Sequence, residues 1–528
     1  MKGYIIFNIV SAAISILTTL TISSIRKGWI FLVLAFLSVF LWIDIFGEHL
    51  LVIVYIFWVL SFAIGTRLML WKLRRNRFID KNKGISYKIP KQMLSCTKCG
   101  IVFGGRNKKY VIREEQKDGH VLIVGGTRSG KTSCIAIPTL RAWKYRAFVV
   151  DIKGELYQET KDEANRKIKI FNPLDKNTYG YNPFFVFTNC REPAQEAFAM
   201  AGALIPLSPT ETSPYWCESA QNMLTGIILY FYDCGYSFID TLEKIQTTEP
   251  KELLNIIYSS NNQQARMYIN SFVKMADETF FAIHSHLSNS IVKIADDKDL
   301  KFALSRHNNI MPHDLEALND IYLIINENLL GKWNSILTLM VSQFMRHFEQ
   351  RTERKSTPIL FVLDEFPRLG KIPTIIDGLA TLQGKNITIC PIIQSLAQLD
   401  YIYGKDVRRI ILDNCQYKAI LSANDVDTQE IFSRGIGTFN DKHKAFTLPF
   451  FSILGWGKNI AEVEKRRIKP EDFATLSVDN ALILTTQFGN FKIEKRPYYQ
   501  PETTEEQSIL CLIINTIKPL LEFLKDKL

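Results

Sequence analysis

Cysteine is scarce in this chain, with nine residues scattered through 528. A disulfide-rich secreted domain has a much higher density of cysteine, so that class is excluded and reduced thiols in a cytoplasmic body are expected. Cys96 and Cys99 form a C-x-x-C pair. A structural zinc site of this kind needs a second pair, which the sequence lacks, so an ordinary turn is the better interpretation.

Charge is almost missing from three stretches near the N-terminus. Residues 4–22 have no charged side chain, 29–46 have only Asp44, and 50–71 have only Arg67. Each approaches the roughly 20 apolar residues that cross a bilayer. Basic residues lie between the first two stretches and after the third, and they predict cytoplasmic segments: Arg26, Lys27, Lys72, Arg74, Arg75 and Arg77. We expect a multi-pass transmembrane anchor over residues 1–78 in the inner (cytoplasmic) membrane, with the body in the cytoplasm.

Two other interpretations of the N-terminal stretches remain open. A cleaved signal peptide explains only the first stretch and leaves two spans, with the body still in the cytoplasm. Buried helices of a soluble domain are disfavoured, because three such stretches abut and a basic cluster follows them at once. The net charge of +11 indicates a polyanionic partner, either nucleic acid or anionic lipid, and does not choose between them.

The strongest motif is HVLIVGGTRSGKTS, residues 120–133. Four apolar residues predict a buried strand, G-x-x-x-x-G-K-T follows, and the next residues can continue as a helix, which is the context that a P-loop needs. Backbone N–H groups and the helix dipole would face the phosphates, Lys131 would reach the β- and γ-phosphates, and Thr132 would bind Mg²⁺. The predicted nucleotide-binding residues are Gly125, Gly126, Thr127, Arg128, Ser129, Gly130, Lys131, Thr132 and Ser133.

A second motif, FVLDEF at residues 361–366, is an apolar strand that ends in two acids, the form of a Walker B segment. Asp364 would hold Mg²⁺, and Glu365 would orient the attacking water. Gln394 follows a further strand, Ile387–Ile393, and is predicted to sense the γ-phosphate. Other predicted strands cover residues 146–155, 320–326, 417–422 and 481–486. Their alternation with helices indicates a parallel α/β sheet of the RecA-like or a similar nucleotide-binding type.

The two motifs lie farther apart in sequence than a compact P-loop core requires, so a segment is inserted between them. Residues 190–310 show helical periodicity with almost no strand pattern, which predicts an all-α domain. We therefore assign the nucleotide-binding domain to residues 79–189 and 311–500 and a C-terminal helical tail to 501–528.

The chain resembles the TraG/TraD-type (VirD-type) coupling proteins of type IV secretion and conjugation systems. Besides the two motifs, the matching pieces occur in the family's order and cover about residues 100–500: GIVFGG (100–105), DIKGELY (151–157), FNPLD (171–175), YNPF (181–184), PYWCESAQNMLTG (214–226), LDEFPRLGKI (363–372), IIQSLAQLDYIYG (392–404) and DNCQYKAIL (413–421). Two spans are common in the family, so three are a departure.

The resemblance implies a membrane-anchored, homohexameric RecA-like ATPase that uses ATP and Mg²⁺. It implies delivery of a relaxase–DNA complex to the channel of a type IV secretion system, with single-stranded DNA bound irrespective of sequence. By position, Lys131 and Thr132 take the Walker A role, Asp364 and Glu365 the Walker B role, and Gln394 the sensor role. An arginine would reach into a neighbour's site, and the candidates are Arg368, Arg408, Arg409 and Arg434.

Two alternatives compete with this reading of the resemblance. A recruitment receptor for secreted effector proteins would use nucleotide binding to gate docking and would pump no DNA. A chromosome translocase of the FtsK type would carry a long low-complexity linker and a C-terminal winged helix, and neither is visible. An ABC transporter is disfavoured, because no LSGGQ-like signature lies between the Walker segments.

Overall fold

The structure, a computed structural model, describes residues 89–500 except 107–108, 116, 164–165, 189, 208–212, 353–355, 448–456 and 477–478. All of these residues belong to one compact unit of the chain, Gly84–Leu528. The three predicted membrane spans and the predicted C-terminal helix lie outside the described residues. Among the residues that are described, no helix has both the length and the apolar character to cross a membrane.

The described part of the chain is mixed α/β. Its strands are β1 Leu94–Ser95, β2 Ile101–Arg106, β3 Lys109–Arg113, β4 Val121–Val124, β5 Arg146–Asp151, β6 Lys167–Phe171, β7 Asn319–Ile324, β8 Ile359–Leu363, β9 Ile387–Ile393, β10 Tyr417–Ile420, β11 Thr438–Thr447, β12 Gly457–Arg466, β13 Asn480–Thr485 and β14 Gly489–Glu494. Its α-helices are α1 Ile137–Ala142, α2 Glu155–Thr160, α3 Pro193–Leu204, α4 Pro214–Asp233, α5 Phe238–Thr247, α6 Pro250–Tyr258, α7 Gln263–Val273, α8 Asp277–Ala295, α9 Lys298–Leu304, α10 Leu330–Glu349, α11 Ile375–Thr381, α12 Leu396–Tyr403, α13 Lys405–Asn414 and α14 Val426–Ile436.

Twelve of the strands form one sheet in the order β1-β3-β2-β14-β13-β10-β4-β9-β8-β5-β7-β6. The strands from β10 to β6 in this order pair in parallel, whereas β13, β14, β2, β3 and β1 pair antiparallel. The parallel half therefore places the carboxyl ends of β4, β9, β8 and β5 side by side at one edge. Ligands of open α/β sheets bind at this edge.

The central strands are buried on both faces, as their continuous apolar runs predict. In β5, Phe148 and Val150 belong to one apolar cluster, while Ala147 and Val149 belong to the cluster on the opposite face. Helix α10 covers the first face, where the Phe344 ring lies 4.7 Å from the Phe148 ring. Helix α1 contributes Ile137 and Leu140 to the second cluster. Helices thus cover the sheet from both sides, and its carboxyl edge is left for the site.

Helices α3–α9 fill the chain between β6 and β7, in the range where the sequence predicts the all-α insert. They share a continuous apolar cluster with the sheet. The division at residues 190 and 310 therefore stays a prediction. The long hairpin of β11 and β12, which forms a separate two-stranded sheet, was not predicted.

The predicted strand 146–155 is too long by four residues. Strand β5 ends at Asp151, because the carboxylate of Asp151 accepts hydrogen bonds from the backbone N–H groups of Lys153 and Tyr157, at 3.3 and 2.8 Å. Gly154 has a φ of +72°, a left-handed conformation that glycine adopts at no steric cost. The chain turns there and enters α2 at Glu155.

Candidate functional site at the carboxyl edge of the sheet

The P-loop motif forms a compact turn between β4 and a helix. Its first amide, that of Gly125, donates to the Ile393 carbonyl at 3.1 Å, and the amide of Gly126 donates to the Ser422 hydroxyl at 3.1 Å. The neighbouring strand ends of β9 and β10 therefore hold the loop in place. Arg128 and Gly130 have φ values of 60° and 93°.

Two glycines of the loop have no room for a side chain. A Cβ on Gly125 would lie 2.3 Å from the Ser129 Oγ, and one on Gly130 would lie 2.8 Å from the Cys134 Sγ. The Ser129 hydroxyl is buried inside the loop and has no hydrogen-bond partner among the described residues. An unsatisfied buried donor beside a tight glycine turn fits a loop that wraps a phosphate group.

The predicted helix after the loop is present, and it begins with a π-helical turn, Lys131–Ala136, before the α-helical turns of α1. The Ile137 amide donates to the carbonyl of Thr132, five residues earlier. The same pattern would pair residue 138 with the Ser133 carbonyl, but Pro138 has no N–H. That carbonyl instead accepts from the Tyr498 amide at 3.0 Å, so the segment after β14 is fixed against the loop.

Lys131 is buried and folds back onto its own loop. Its Nζ donates to the carbonyl oxygens of Gly125 and Gly126 at 2.7 and 3.3 Å. Burial lowers the pKa of Lys131, whereas the nearby carboxylates of Glu365 and Asp364 raise it. A cation that is already desolvated, and bound only to neutral carbonyls, is well suited to bind a phosphate.

The two acids of the second motif follow β8, whose five residues are all buried. Burial raises the pKa of Asp364 to about 7, and the charges of Glu365 and Asp151 add to the effect. Glu365 has a φ of 46°, which is unusual for a residue with a side chain. Backbone strain of this kind persists where the surrounding structure enforces it, commonly at functional sites.

Gln394 lies at the tip of β9, between the P-loop strand and the strand of the acid pair. Its Nε2 donates to both carboxylate oxygens of Glu365, at 3.1 and 3.0 Å. Its backbone amide donates to the Gln398 Oε1 at 3.1 Å. The structure thus brings Lys131, Asp364, Glu365 and Gln394 together at one edge.

The donor set at this edge fits Mg²⁺, which prefers oxygen ligands and keeps several of its waters. Asp364 would supply a carboxylate and Thr132 a hydroxyl, and the crowding of Asp364 with Glu365 and Asp151 leaves excess negative charge for a cation to balance. No group of three or more His, Cys, Asp or Glu side chains among the described residues could hold a metal by itself. The remaining ligands would be water and phosphate oxygens.

Sequence reasoning gave no role to Asp151 and Lys153, although both lie at this edge. Strand β5 pairs with β8, and the Asp364 amide donates to the Val150 carbonyl at 3.2 Å. The sequence contained one usable signal: DIKGE follows an apolar strand directly, as DEF does after β8.

The four candidate arginines have different surroundings. Arg408 is buried and bonds to the Asp400 carboxylate at 2.6 Å, between α12 and α13. Arg368 pairs with Glu327. Arg409 and Arg434 expose 69% and 74% of their side chains while pairing with acids on their own helices. Arg408 is therefore occupied inside its own chain, and the other three reach the surface.

Comparison with protein families gives a match over most of the chain. The family model described as type IV secretory system conjugative DNA transfer matches residues 73–519. The VirD4 protein of Rhizobium radiobacter is 25% identical over 418 residues, which cover 77% of this chain and 60% of that protein. A conjugal transfer protein TraG of Escherichia coli is 24% identical over 380 residues, which cover 65% of this chain and 59% of that protein. The matched part of the chain thus spans about 60% of the length of these relatives.

Solved structures show the same fold. The plasmid coupling protein TrwB in complex with the ATP analogue ADPNP superposes with a TM-score of 0.60 at 16% identity, covering 77% of this chain and 92% of that one. The TrwB complex with ADP and Mg²⁺ gives a TM-score of 0.55 at 17% identity, covering 77% and 91%. The RecA-like P-loop architecture predicted from the sequence is thereby confirmed.

Proposed function

Because this chain belongs to the type IV secretory system conjugative DNA transfer family, we propose that it is the coupling ATPase of a conjugation system. In this role it recruits a relaxase–DNA complex and drives the DNA through the secretion channel. The observation that supports this most directly is the convergence of Lys131, the acid pair and Gln394 at one sheet edge, within a chain whose family match covers residues 73–519.

ATP is the proposed substrate and Mg²⁺ its metal. Structures of TrwB contain ADPNP, or ADP with Mg²⁺, and that protein shares the fold described above. In this chain the loop amides and Lys131 bind and orient the phosphates. Thr132 and Asp364 would hold Mg²⁺, which would neutralise charge on the phosphate oxygens.

Glu365 is the residue that orients the attacking water and accepts its proton. In the structure both of its oxygens are engaged by the Gln394 amide. For Glu365 to bind water, at least one of these hydrogen bonds has to be exchanged. Gln394 thus links the state of the γ-phosphate position to the availability of the base.

The proposed function also includes an oligomeric state, a mode of DNA binding and a location in the membrane. A homohexamer would bring an exposed arginine of one subunit to the next subunit's site, and Arg368, Arg409 and Arg434 are available for this. Single-stranded DNA would bind through charge, without base readout, because a motor has to pass any sequence. Residues 1–78 would anchor the protein in the inner membrane.

The test is transfer of a mobilisable plasmid between cells that carry the wild type, Lys131→Ala or Glu365→Gln. Removing the phosphate-binding cation or the base is expected to reduce transfer by at least ~100-fold. Lys161→Ala is the matched control, since the Lys161 side chain is exposed and its one hydrogen bond among the described residues is to Gln158 of the preceding helix α2. Immunoblots of membrane fractions check that all variants are present.

Unchanged transfer in both site variants would show that this chain does not drive DNA transport. Nucleotide-gated docking of secreted effector proteins would then be the function to pursue. Recovery of the wild-type protein in the soluble fraction would contradict the proposed membrane anchor.

A further inference from the structure

Lys153 lies in the turn that follows β5, beside the acid pair. Strands β5 and β8 pair in parallel from Arg146↔Ile359 to Val150↔Leu363. The Asp364 amide continues this ladder by donating to the Val150 carbonyl at 3.2 Å. The two segments that leave these strands, Ile152–Gly154 and Asp364–Phe366, are therefore neighbours at the carboxyl edge.

The turn that carries Lys153 is held firmly. Asp151 is fully buried, and its carboxylate accepts from the Lys153 amide at 3.3 Å and from the Tyr157 amide at 2.8 Å. The carbonyl of Asp151 accepts from the Ile325 amide at 3.3 Å. The backbone of Lys153 is thus fixed, while its side chain is exposed at the edge.

The turn that carries Lys153 also has a neighbour on its other side. Strand β7 pairs with β5 on the side away from β8, so the turn lies between the segment that follows β7 and the acid pair. The charge of Lys153 adds to that of Arg368 in lowering the pKa of Glu327, which lies on the segment after β7.

Within the described ranges, the Lys153 ammonium group has no hydrogen-bond or ion-pair partner of its own. Lys131, by contrast, is engaged by two loop carbonyls. The edge therefore carries two lysines, Lys131 on the P-loop side and Lys153 on the acid side, and of these two only Lys153 is uncommitted. A triphosphate brings three equatorial oxygens on its terminal group, more than one lysine satisfies.

We propose that Lys153 binds the γ-phosphate of the nucleoside triphosphate and so distinguishes the triphosphate from the diphosphate. This rests on the proposed ATPase function. ATP and ADP share the contacts of the P-loop. A side chain on the acid side of the edge, by contrast, contacts only the terminal phosphate of ATP. Lys153 is then the residue that detects whether the bound nucleotide has been hydrolysed.

The test is equilibrium binding of ADPNP and of ADP, each with Mg²⁺, to the full-length protein in detergent. In Lys153→Ala the affinity for ADPNP is expected to fall about 10–100-fold, the worth of one charge-assisted hydrogen bond, while the affinity for ADP stays within about twofold. Lys153→Arg keeps the charge and is expected to retain most of the preference for ADPNP. Lys161→Ala is the control, and Lys131→Ala should weaken both ligands.

Several outcomes would overturn the proposal, and they are distinguishable from failure of the proposed function. Equal losses for ADPNP and ADP in Lys153→Ala would mean that the lysine supports the turn only. Unchanged affinity for both would mean that it is merely solvated, even while Lys131→Ala confirms the nucleotide site. If the wild-type protein binds neither nucleotide, the ATPase function and the role of Lys153 are both wrong.

Discussion

His120, the first residue of the P-loop motif, is a buried histidine that the fold keeps neutral. Its Nδ1 accepts from the Ile389 amide at 2.9 Å, and its Nε2 lies 3.0 Å from the Leu379 carbonyl, to which it must donate. Burial lowers the pKa of His120 to about 3, and the charge of Arg113 adds to the effect. The side chain therefore joins β9 to α11 just before the P-loop strand.

This arrangement predicts a loss of stability in mild acid. Between about pH 6.5 and pH 3 the unfolded chain binds a proton at His120 that the folded chain excludes, so unfolding becomes easier as the pH falls through this window. From pH 6.5 to 5.0 the free energy of unfolding should drop by about 1.5–2 kcal/mol through this residue alone. Urea titrations of the wild type and His120→Gln at both pH values measure it. The same pH dependence in the two proteins would contradict the assignment.

For single residues, the sequence indicated the chemistry of the site where the residues concerned lie within one short stretch of the chain. Lys131 and the acid pair were predicted as site residues because each lies in a short pattern directly after an apolar strand. Asp151 and Lys153 also follow an apolar strand, but their place beside the acid pair depends on the pairing of β5 with β8, and the whole insert separates these two strands in sequence. Pairing between distant strands leaves no trace in a single local pattern.

Among the elements, the π-helical turn after the P-loop has an identifiable cause and a consequence. Pro138 leaves the Ser133 carbonyl free for the Tyr498 amide. The Arg141 side chain, one turn farther along, covers the Tyr498 ring at 4.8 Å. The segment after β14 is thus attached to the nucleotide-binding helix by two contacts.

Replacing Pro138 with alanine should restore a competing donor within the helix. In the π-helical pattern the new amide of residue 138 would donate to the Ser133 carbonyl, and the Tyr498 amide would have to compete for its acceptor. Hydrogen exchange of the peptide that contains residues 495–500 should become faster by about tenfold, as expected for one lost backbone bond. Pro312→Ala, at the start of a short helix elsewhere, should leave that peptide unchanged. Exchange that is equally slow in Pro138→Ala would show that the bond does not hold the segment.

Helices and strands were predicted well where a single apolar pattern runs along the whole element. Strand β9 ends where expected, and α4, Pro214–Asp233, lies within the range 190–310 that was predicted to be helical. In the antiparallel half of the sheet, only β13 was predicted as a strand, at residues 481–486. Strands β2 and β14 share a single register pair, so their adjacency depends on the whole sheet and not on either segment.

In the whole molecule, Asp297 joins the inserted helices to the core. Its carboxylate caps α9 by accepting from the Asp299 and Leu300 amides, at 3.0 and 2.9 Å. It also accepts from the indole N–H of Trp333 at 2.8 Å, on the helix α10 that packs against the sheet. Lys332 completes the set with an ion pair at 2.6 Å.

Asp297→Ala should therefore lower the free energy of unfolding by about 2–4 kcal/mol, because it removes a cap and leaves a buried indole N–H unsatisfied. In a calorimetric scan of Asp297→Ala, we expect the inserted helices and the sheet to unfold in separate transitions. Asp299 lies in the first turn of the same helix and is exposed. Asp299→Ala is therefore the control and should change the free energy of unfolding by less than about 0.5 kcal/mol. A single unchanged transition in Asp297→Ala would argue against this link.

The strand order has a consequence for how the protein is made on the ribosome. Strands β4, β5 and β6 are synthesised first among the parallel strands, yet in the sheet β9 and β8 lie between β4 and β5, and β7 lies between β5 and β6. None of the three therefore has a parallel-strand neighbour in the sheet until the ribosome has passed the insert. During that interval their apolar edges are open to wrong pairing, and folding by non-local pairing is slow. The nascent chain is thus a natural client for a holding chaperone, and its yield should depend more on translation speed than on the stability of the finished sheet.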